Sequence, residues 1–128
     1  MHSVSQGDGI SVMIVDDSLF MRDMLRKIVE TNGYTVVAEA KDGAEGVAKY
    51  AELRPRITLI DILMPNKNGV DATREIISID KYAKVVMCSS LGHEDLIRVA
   101  LETGARDVIF KPYNVSNVQE VLQKVMQF

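Results

Sequence analysis

Thr58-Leu-Ile-Asp-Ile-Leu-Met-Pro65 is the stretch that decides how this chain folds and where its chemistry lies. Residues 57–60 are apolar and largely β-branched, and they read as a buried strand that delivers one carboxylate, Asp61, to its carboxyl end. Met64-Pro65 and Asn68-Gly69 then turn the chain. An acid at the end of a buried strand is costly unless another group compensates or uses it. Taken alone, Asp61 reads as a cap on the next turn. Asp16-Asp17, Ser89 and Lys111-Pro112 change that reading, because each ends another strand-like run.

Residues 10–15, 34–38, 84–88 and 108–110 are further short apolar runs. Between and after the five runs, apolar residues recur at helical spacing. The sets are Met21, Leu25, Ile28 and Val29; Val47, Tyr50 and Ala51; Val70, Thr73, Ile76 and Ile77; Leu96, Ile97, Ala100 and Leu101; and Val118, Val121, Leu122 and Val125. Ser18 supplies an N-cap for the first, and Asn114 or Ser116 for the last. Asn32-Gly33, Pro55 and Gly104 supply stops. Strands joined by helical crossovers run parallel, and near-continuous apolar strands need cover on both faces. The expectation is a three-layer α/β sandwich: a central five-stranded parallel sheet with helices on both faces. Functional groups in such folds sit at the carboxyl ends of the strands. Those ends carry Asp16, Asp17, Asp61, Ser89 and Lys111, and the loops at the opposite edge show no comparable set.

With 128 residues the chain suits one domain, read as 10–128, after a polar, glycine-containing leader at 1–9 that is expected to be flexible. Hydrophobic residues at 47% and charged residues at 26% are a soluble globular composition. A net charge of −3 argues against a nucleic-acid partner. The leader lacks the basic and apolar parts of a signal peptide, and no apolar run approaches membrane-spanning length, so a cytoplasmic protein is expected. A single cysteine, Cys88, excludes an internal disulfide and reads as an inert strand residue, and His2 and His93 lack zinc-ligand spacing. Phe20 and Met24 exceed what one buried stripe needs and are candidates to face a partner.

Three carboxylates in one crevice repel one another unless a cation sits among them. Hard oxygen donors favour Mg²⁺, which takes one or two carboxylates together with a phosphate oxygen. A lysine can neutralise a phosphoryl group, a hydroxyl can donate to it, and a carboxylate can accept it as an acyl phosphate. The sequence supports phosphorylation of an aspartate.

Val12-Met-Ile-Val-Asp-Asp17, Leu59-Ile-Asp-Ile-Leu-Met-Pro65 with Gly69, Val85-Val-Met-Cys-Ser89 and Phe110-Lys-Pro112 together resemble the receiver domain of two-component response regulators. Asp16-Asp-Ser-Leu-Phe-Met-Arg22 and Met87-Cys-Ser-Ser-Leu-Gly92 look most like the stand-alone chemotaxis members. The resemblance runs from about Ser11 to Met126 and implies a flavodoxin-like (βα)5 fold. It implies Asp61 as phospho-acceptor, a Mg²⁺ site of Asp16, Asp17, Asp61 and the Leu63 backbone carbonyl, and a phosphoryl contact from Lys111. It implies Ser89 as the switch hydroxyl, favoured over its neighbour Ser90, and a cis Lys111-Pro112 peptide. The donor would be the phosphohistidine of a chemotaxis-type kinase. The chain would be no enzyme in the ordinary sense, but a monomeric signalling domain that assists its own phosphotransfer. Its output would be phosphorylation-dependent binding, chiefly to a flagellar or archaellar motor switch or adaptor protein, through the fourth helix, fifth strand and fifth helix. An external phosphatase is a further expected partner.

Two departures stand out. The fifth-strand position where the family often has a switch aromatic holds Val108, and Tyr113 after Pro112 is the candidate surface reporter instead. The positions two beyond Asp61 and two beyond Ser89 are Leu63 and Leu91, which offer no hydrogen bond to an attacking water, so slow self-dephosphorylation is expected. The rival readings are a phosphorelay intermediate and the isolated receiver of a larger regulator, either a methylesterase or a DNA-binding protein. An aspartyl phosphatase is disfavoured by Leu63, where such enzymes place a second acid, and a flavin module by the acidic, glycine-free turn Asp16-Asp-Ser-Leu.

Overall fold

The computed structural model describes residues 9–127. The proposed leader at 1–9 therefore lies, apart from Gly9, outside the described residues. Five strands alternate with five helices: β1 (Ser11–Val15), α1 (Leu19–Thr31), β2 (Thr35–Ala40), α2 (Gly43–Leu53), β3 (Ile57–Asp61), α3 (Gly69–Ile79), β4 (Val85–Ser89), α4 (Glu94–Thr103), β5 (Asp107–Phe110) and α5 (Val115–Met126). Each element stands where its hydrophobic pattern puts it. The edges shift slightly: β2 runs on to Ala40, and Asp61 and Ser89 are the last residues of their strands rather than the first beyond them.

All four strand pairings are parallel, in the order β2-β1-β3-β4-β5. The chain steps outward from β1 to β2, then crosses back to β3 on the other side. That reversal opens a crevice at the carboxyl ends of β1 and β3.

Alternation along each strand splits the core into two clusters. Val12 and Ile14 of β1 and Leu59 of β3 meet Leu25 and Val29 of α1 and Val118, Leu122 and Val125 of α5. Met13, Val15 and Ile60 point the other way, against Tyr50 of α2, Val70, Ala72 and Ile76 of α3, and Ile97 and Ala100 of α4. Every residue of β3 and β4 is buried, whereas the edge strands β2 and β5 are partly exposed.

Polar side chains fix the helix starts. Ser18 accepts from the Met21 N–H, Asp42 from Glu45, and Asn68 from Asp71. Of the two candidates for α5, Asn114 is the cap, in a reciprocal pair with Asn117. The Lys111–Pro112 peptide is cis. Tyr113 corrects an expectation. It is only 8% exposed, packed in the α1–α5 cluster with its hydroxyl against the Cys88 thiol, and so it is no surface reporter. Its ring continues the buried side of the sheet past the end of β5, and that removes it from solvent.

Candidate functional site

The crevice receives its groups from three strand ends. β1 ends at Val15, and the Asp16 N–H is tied to the Ala40 carbonyl at 3.0 Å, which fixes where Asp16 and Asp17 leave the sheet. At the end of β3, Ile62 N–H donates to the Cys88 carbonyl at 3.0 Å, so the backbone stays in the sheet until Asp61 is placed. Across β5, Lys111 N–H donates to the Ser89 carbonyl at 2.8 Å, which sets the lysine at the same edge.

Side chains from these ends converge. Lys111 Nζ lies 3.3 Å from Asp61 Oδ2 and 3.8 Å from Asp16 Oδ2. Carboxylate oxygens of Asp16, Asp17 and Asp61 all lie within 4.8 Å of one another. Asp16 and Asp61 are buried, and Asp17 is exposed. Burial is the main cause that raises the pKa of Asp61; the neighbouring Asp16 charge raises it further, while Lys111 and the Leu63 backbone N–H pull it down. Asp16 is raised for the same first reason and is held back by the Ser18 N–H, 2.9 Å from Oδ1, and by Lys111. One lysine therefore faces two buried acids and an exposed third. The deficit of positive charge, with only oxygen donors, fits a hard divalent cation. Asp16, Asp17 and Asp61 are the residues that would hold it.

Ser89 is fully buried, and its hydroxyl donates to the Ser90 carbonyl at 2.7 Å; Ser90 itself is exposed. The hydroxyl is thus committed to its own loop in this conformation. Val108 is half-buried and packs into the α2–α3–α4 cluster, and Pro112 follows Lys111 through the cis bond. Leu63 and Leu91 are 46% and 77% exposed, so both side chains stand largely in solvent. Cys88 is buried with its thiol pushed up to about 12, chiefly by desolvation, as an inert residue should be. Phe20 is 69% exposed and lines a shallow groove with Met24 and Ile28.

Arg22 has a role that the sequence reading, which named it only as the end of the Asp16–Arg22 stretch, did not assign. Its Nη1 donates to the Asp16 carbonyl at 2.6 Å while its Nε pairs with Glu39 at 3.0 Å, and Arg26 also binds Glu39. The arginine braces the Asp16-Asp17 turn from outside. A contact to a backbone carbonyl leaves no pattern in a sequence.

The family model of the response regulator receiver domain matches residues 12–123. The chemotaxis protein CheY of Thermotoga maritima is 48% identical over 117 residues, which are 91% of this chain and 98% of that protein. The protein-glutamate methylesterase/protein-glutamine glutaminase of the same organism is 39% identical over 92% of this chain, but only 37% of its own length is covered. Among solved structures, the CheX–CheY–BeF3–Mg complex from Borrelia burgdorferi matches with a TM-score of 0.84 at 37% identity, covering 94% of this chain and 90% of that one.

Proposed function

The chain belongs to the response regulator receiver domain family and is CheY-like, and from that premise we propose that it is a chemotaxis response regulator that accepts a phosphoryl group on Asp61. One observation carries the reading: Lys111 Nζ at 3.3 Å from an Asp61 oxygen, inside a set of three carboxylates drawn together at one strand edge. An Asp61 oxygen attacks the phosphorus of a kinase phosphohistidine; the O–P bond forms as the N–P bond breaks, and the imidazole leaves to take up a proton. Lys111 passes from the Asp61 carboxylate to the arriving phosphoryl oxygens. Asp16, Asp17 and the Leu63 carbonyl, with Asp61, would hold Mg²⁺, which when bound neutralises charge and polarises those oxygens. The chain works as a substrate that assists its own transfer rather than as a turnover enzyme, and it acts in the cytoplasm. No helix among the described residues is long and apolar enough to cross a membrane.

Phosphorylation exports its effect through the Ser89 loop. An acyl phosphate adds strong acceptor oxygens at the end of β3. The Ser89 hydroxyl can reach them by giving up the Ser90 carbonyl, which moves the loop leading to α4. The receiving surface is α4, β5 and α5, where β5 is an edge strand and Phe110 is 39% exposed. With Val108 in place of a larger ring, the signal rests on the loop. The expected partners are a chemotaxis kinase and a motor switch or adaptor protein.

A pull-down tests the reading. The bait is Mg²⁺-loaded protein with and without a beryllofluoride mimic of the phosphoryl group, beside Asp61→Ala. Motor or adaptor proteins captured by the activated form alone are the expected result. A histidine phosphotransfer protein in their place would move the chain to a relay, and identical captures in all three states would refute the switch.

The lifetime of the acyl phosphate is a second expectation. Leu63 and Leu91, two residues beyond Asp61 and Ser89, carry no group to orient water, so the half-life should be minutes rather than seconds. Leu63→Asn should shorten it several-fold in a phosphate-release assay. A parent half-life of seconds would refute the argument.

A further inference from the structure

Asp16 and Asp17 are joined by one peptide unit, whose oxygen is the Asp16 carbonyl. A peptide is planar, so whatever fixes that carbonyl also fixes the direction in which the backbone delivers Asp17. Asp16 is held on its other sides: its N–H donates to the Ala40 carbonyl at 3.0 Å, and its Oδ1 accepts from the Ser18 N–H at 2.9 Å. Asp17 is exposed, so packing does not hold its side chain in place. The donor that holds the peptide between them is Arg22 Nη1, 2.6 Å from the Asp16 carbonyl.

Arg22 is itself anchored. It sits one turn into α1, where its N–H donates to the Ser18 carbonyl at 3.0 Å, and its Nε donates to Glu39 Oε1 at 3.0 Å. Glu39 belongs to β2, in register with Ile14 of β1, and its backbone carbonyl accepts from Lys49 Nζ at 2.6 Å. Arg26 binds the second Glu39 oxygen. The Arg22 and Glu39 side chains are only 15% and 21% exposed, so this is not one of the loosely held surface pairs that contribute little. The rigid fork of a guanidinium meets the carbonyl and the carboxylate at once; the ammonium of a lysine presents no such fork.

We infer that Arg22, anchored by Glu39, is a positioning residue of the metal site. It holds the Asp16–Asp17 peptide so that both carboxylates meet Asp61 in the geometry that Mg²⁺ requires. The inference rests on the reading of those three acids as a Mg²⁺ site. Mg²⁺ demands near-octahedral coordination at about 2.0–2.1 Å, so a small turn of this peptide costs affinity. Partners that orient metal ligands are typically worth about 10- to 100-fold in binding. The sign separates positioning from charge. A fixed cation beside the acids opposes a second one, so on charge alone the loss of Arg22 would tighten Mg²⁺ binding. On positioning, the loss weakens it.

Amide NMR of the full chain, titrated with Mg²⁺ from the metal-free state, reads the affinity at Asp17 and Asp61, and melting in EDTA reads the fold separately. Arg22→Lys, which keeps the charge, should raise the Mg²⁺ Kd about tenfold, and Arg22→Ala at least as much. Glu39→Ala should raise it severalfold, although that side chain bonds Arg22 and Arg26 rather than any of the three acids. Arg22→Ala with Glu39→Ala should bind no more weakly than Arg22→Ala alone, because both act through one contact. Glu39→Gln keeps an acceptor oxygen for Nε and should retain most of the affinity. An unchanged or lower Kd in Arg22→Lys and Arg22→Ala, additive effects in the double variant, or a lower Tm in EDTA with Kd unmoved would each overturn the inference. A parent with no saturable response to Mg²⁺ at Asp17 and Asp61 would refute the metal site itself, and the inference with it.

Discussion

Asp61→Asn takes up no detectable phosphoryl group from a kinase or a small acyl-phosphate donor, and in metal-free buffer it melts above the parent. The first effect follows from chemistry, since an amide is not the nucleophile that a carboxylate is. The second follows from electrostatics. Ionised Asp61 stands in a site where burial and the Asp16 charge both disfavour that form, against one lysine. The amide removes a disfavoured charge and leaves Lys111 near Asp16, at 3.8 Å, so no cation is stranded. The gain should be on the order of 1–2 kcal/mol, about 3–8 °C in Tm for a domain of this size. The sign with pH is fixed by the raised pKa. Between the unfolded and the folded pKa of Asp61 the native state holds a proton that the unfolded chain has lost, so stability falls as pH rises through that window. Above it the penalty is complete. The gap between variant and parent should therefore widen as pH rises through the titration and close as pH falls through it. Saturating Mg²⁺ should narrow it from the other side by stabilising the parent. Calorimetric melting at several pH values, with EDTA and with Mg²⁺, reads all of this, and a variant that melts below the parent at pH 7 in EDTA would refute it.

Gly69→Ala should be the most damaging single methyl group in the loop beside the site. A Cβ at residue 69 would lie 2.2 Å from the Asp61 carbonyl oxygen and 2.9 Å from Ile62 Cα. Both are backbone atoms, so no side chain can swing away. Gly69 N–H also donates to the Ile62 carbonyl at 3.0 Å, a bond that pins the start of α3 against the end of β3. Relief requires the α3 start and the Asp61 strand end to part. The cost should be about 3 kcal/mol, a drop in Tm of about 10 °C. Whatever protein remains folded should accept phosphate more slowly, because the displaced backbone is the one that carries the acceptor. Unchanged Tm and phosphorylation rate would show that the loop has slack that these distances deny. The glycine is demanded here by space, not by a positive φ.

Much of this was legible in one dimension because the causes are local. A buried parallel strand shows as an unbroken apolar run, and a covering helix as a stripe at helical spacing, so five β/α units could be counted without coordinates. Asp16, Asp17, Asp61, Ser89 and Lys111 could be grouped because each ends a strand, and strand ends in such a sheet share an edge. Tyr113 was misread because the residue after a proline turn has no periodicity to declare its burial; its place against Cys88 depends on where α1 and α5 close over the sheet. Arg22 was passed over because its partner is a backbone carbonyl.

The sequence by itself determined the number and kind of elements, the parallel sense of the sheet and the oxygen-rich chemistry at its carboxyl edge, since these follow from residue type and period. The tertiary structure alone decided the order β2-β1-β3-β4-β5, which puts β1 beside β3 and so brings Asp16 and Asp17 to Asp61. It also decided that β3, β4 and β5 lie side by side, which brings Ser89 and Lys111 to the same edge as Asp61. Strand order is set by how helices pack over both faces at once. Charges far apart in the chain become neighbours only when that packing is complete.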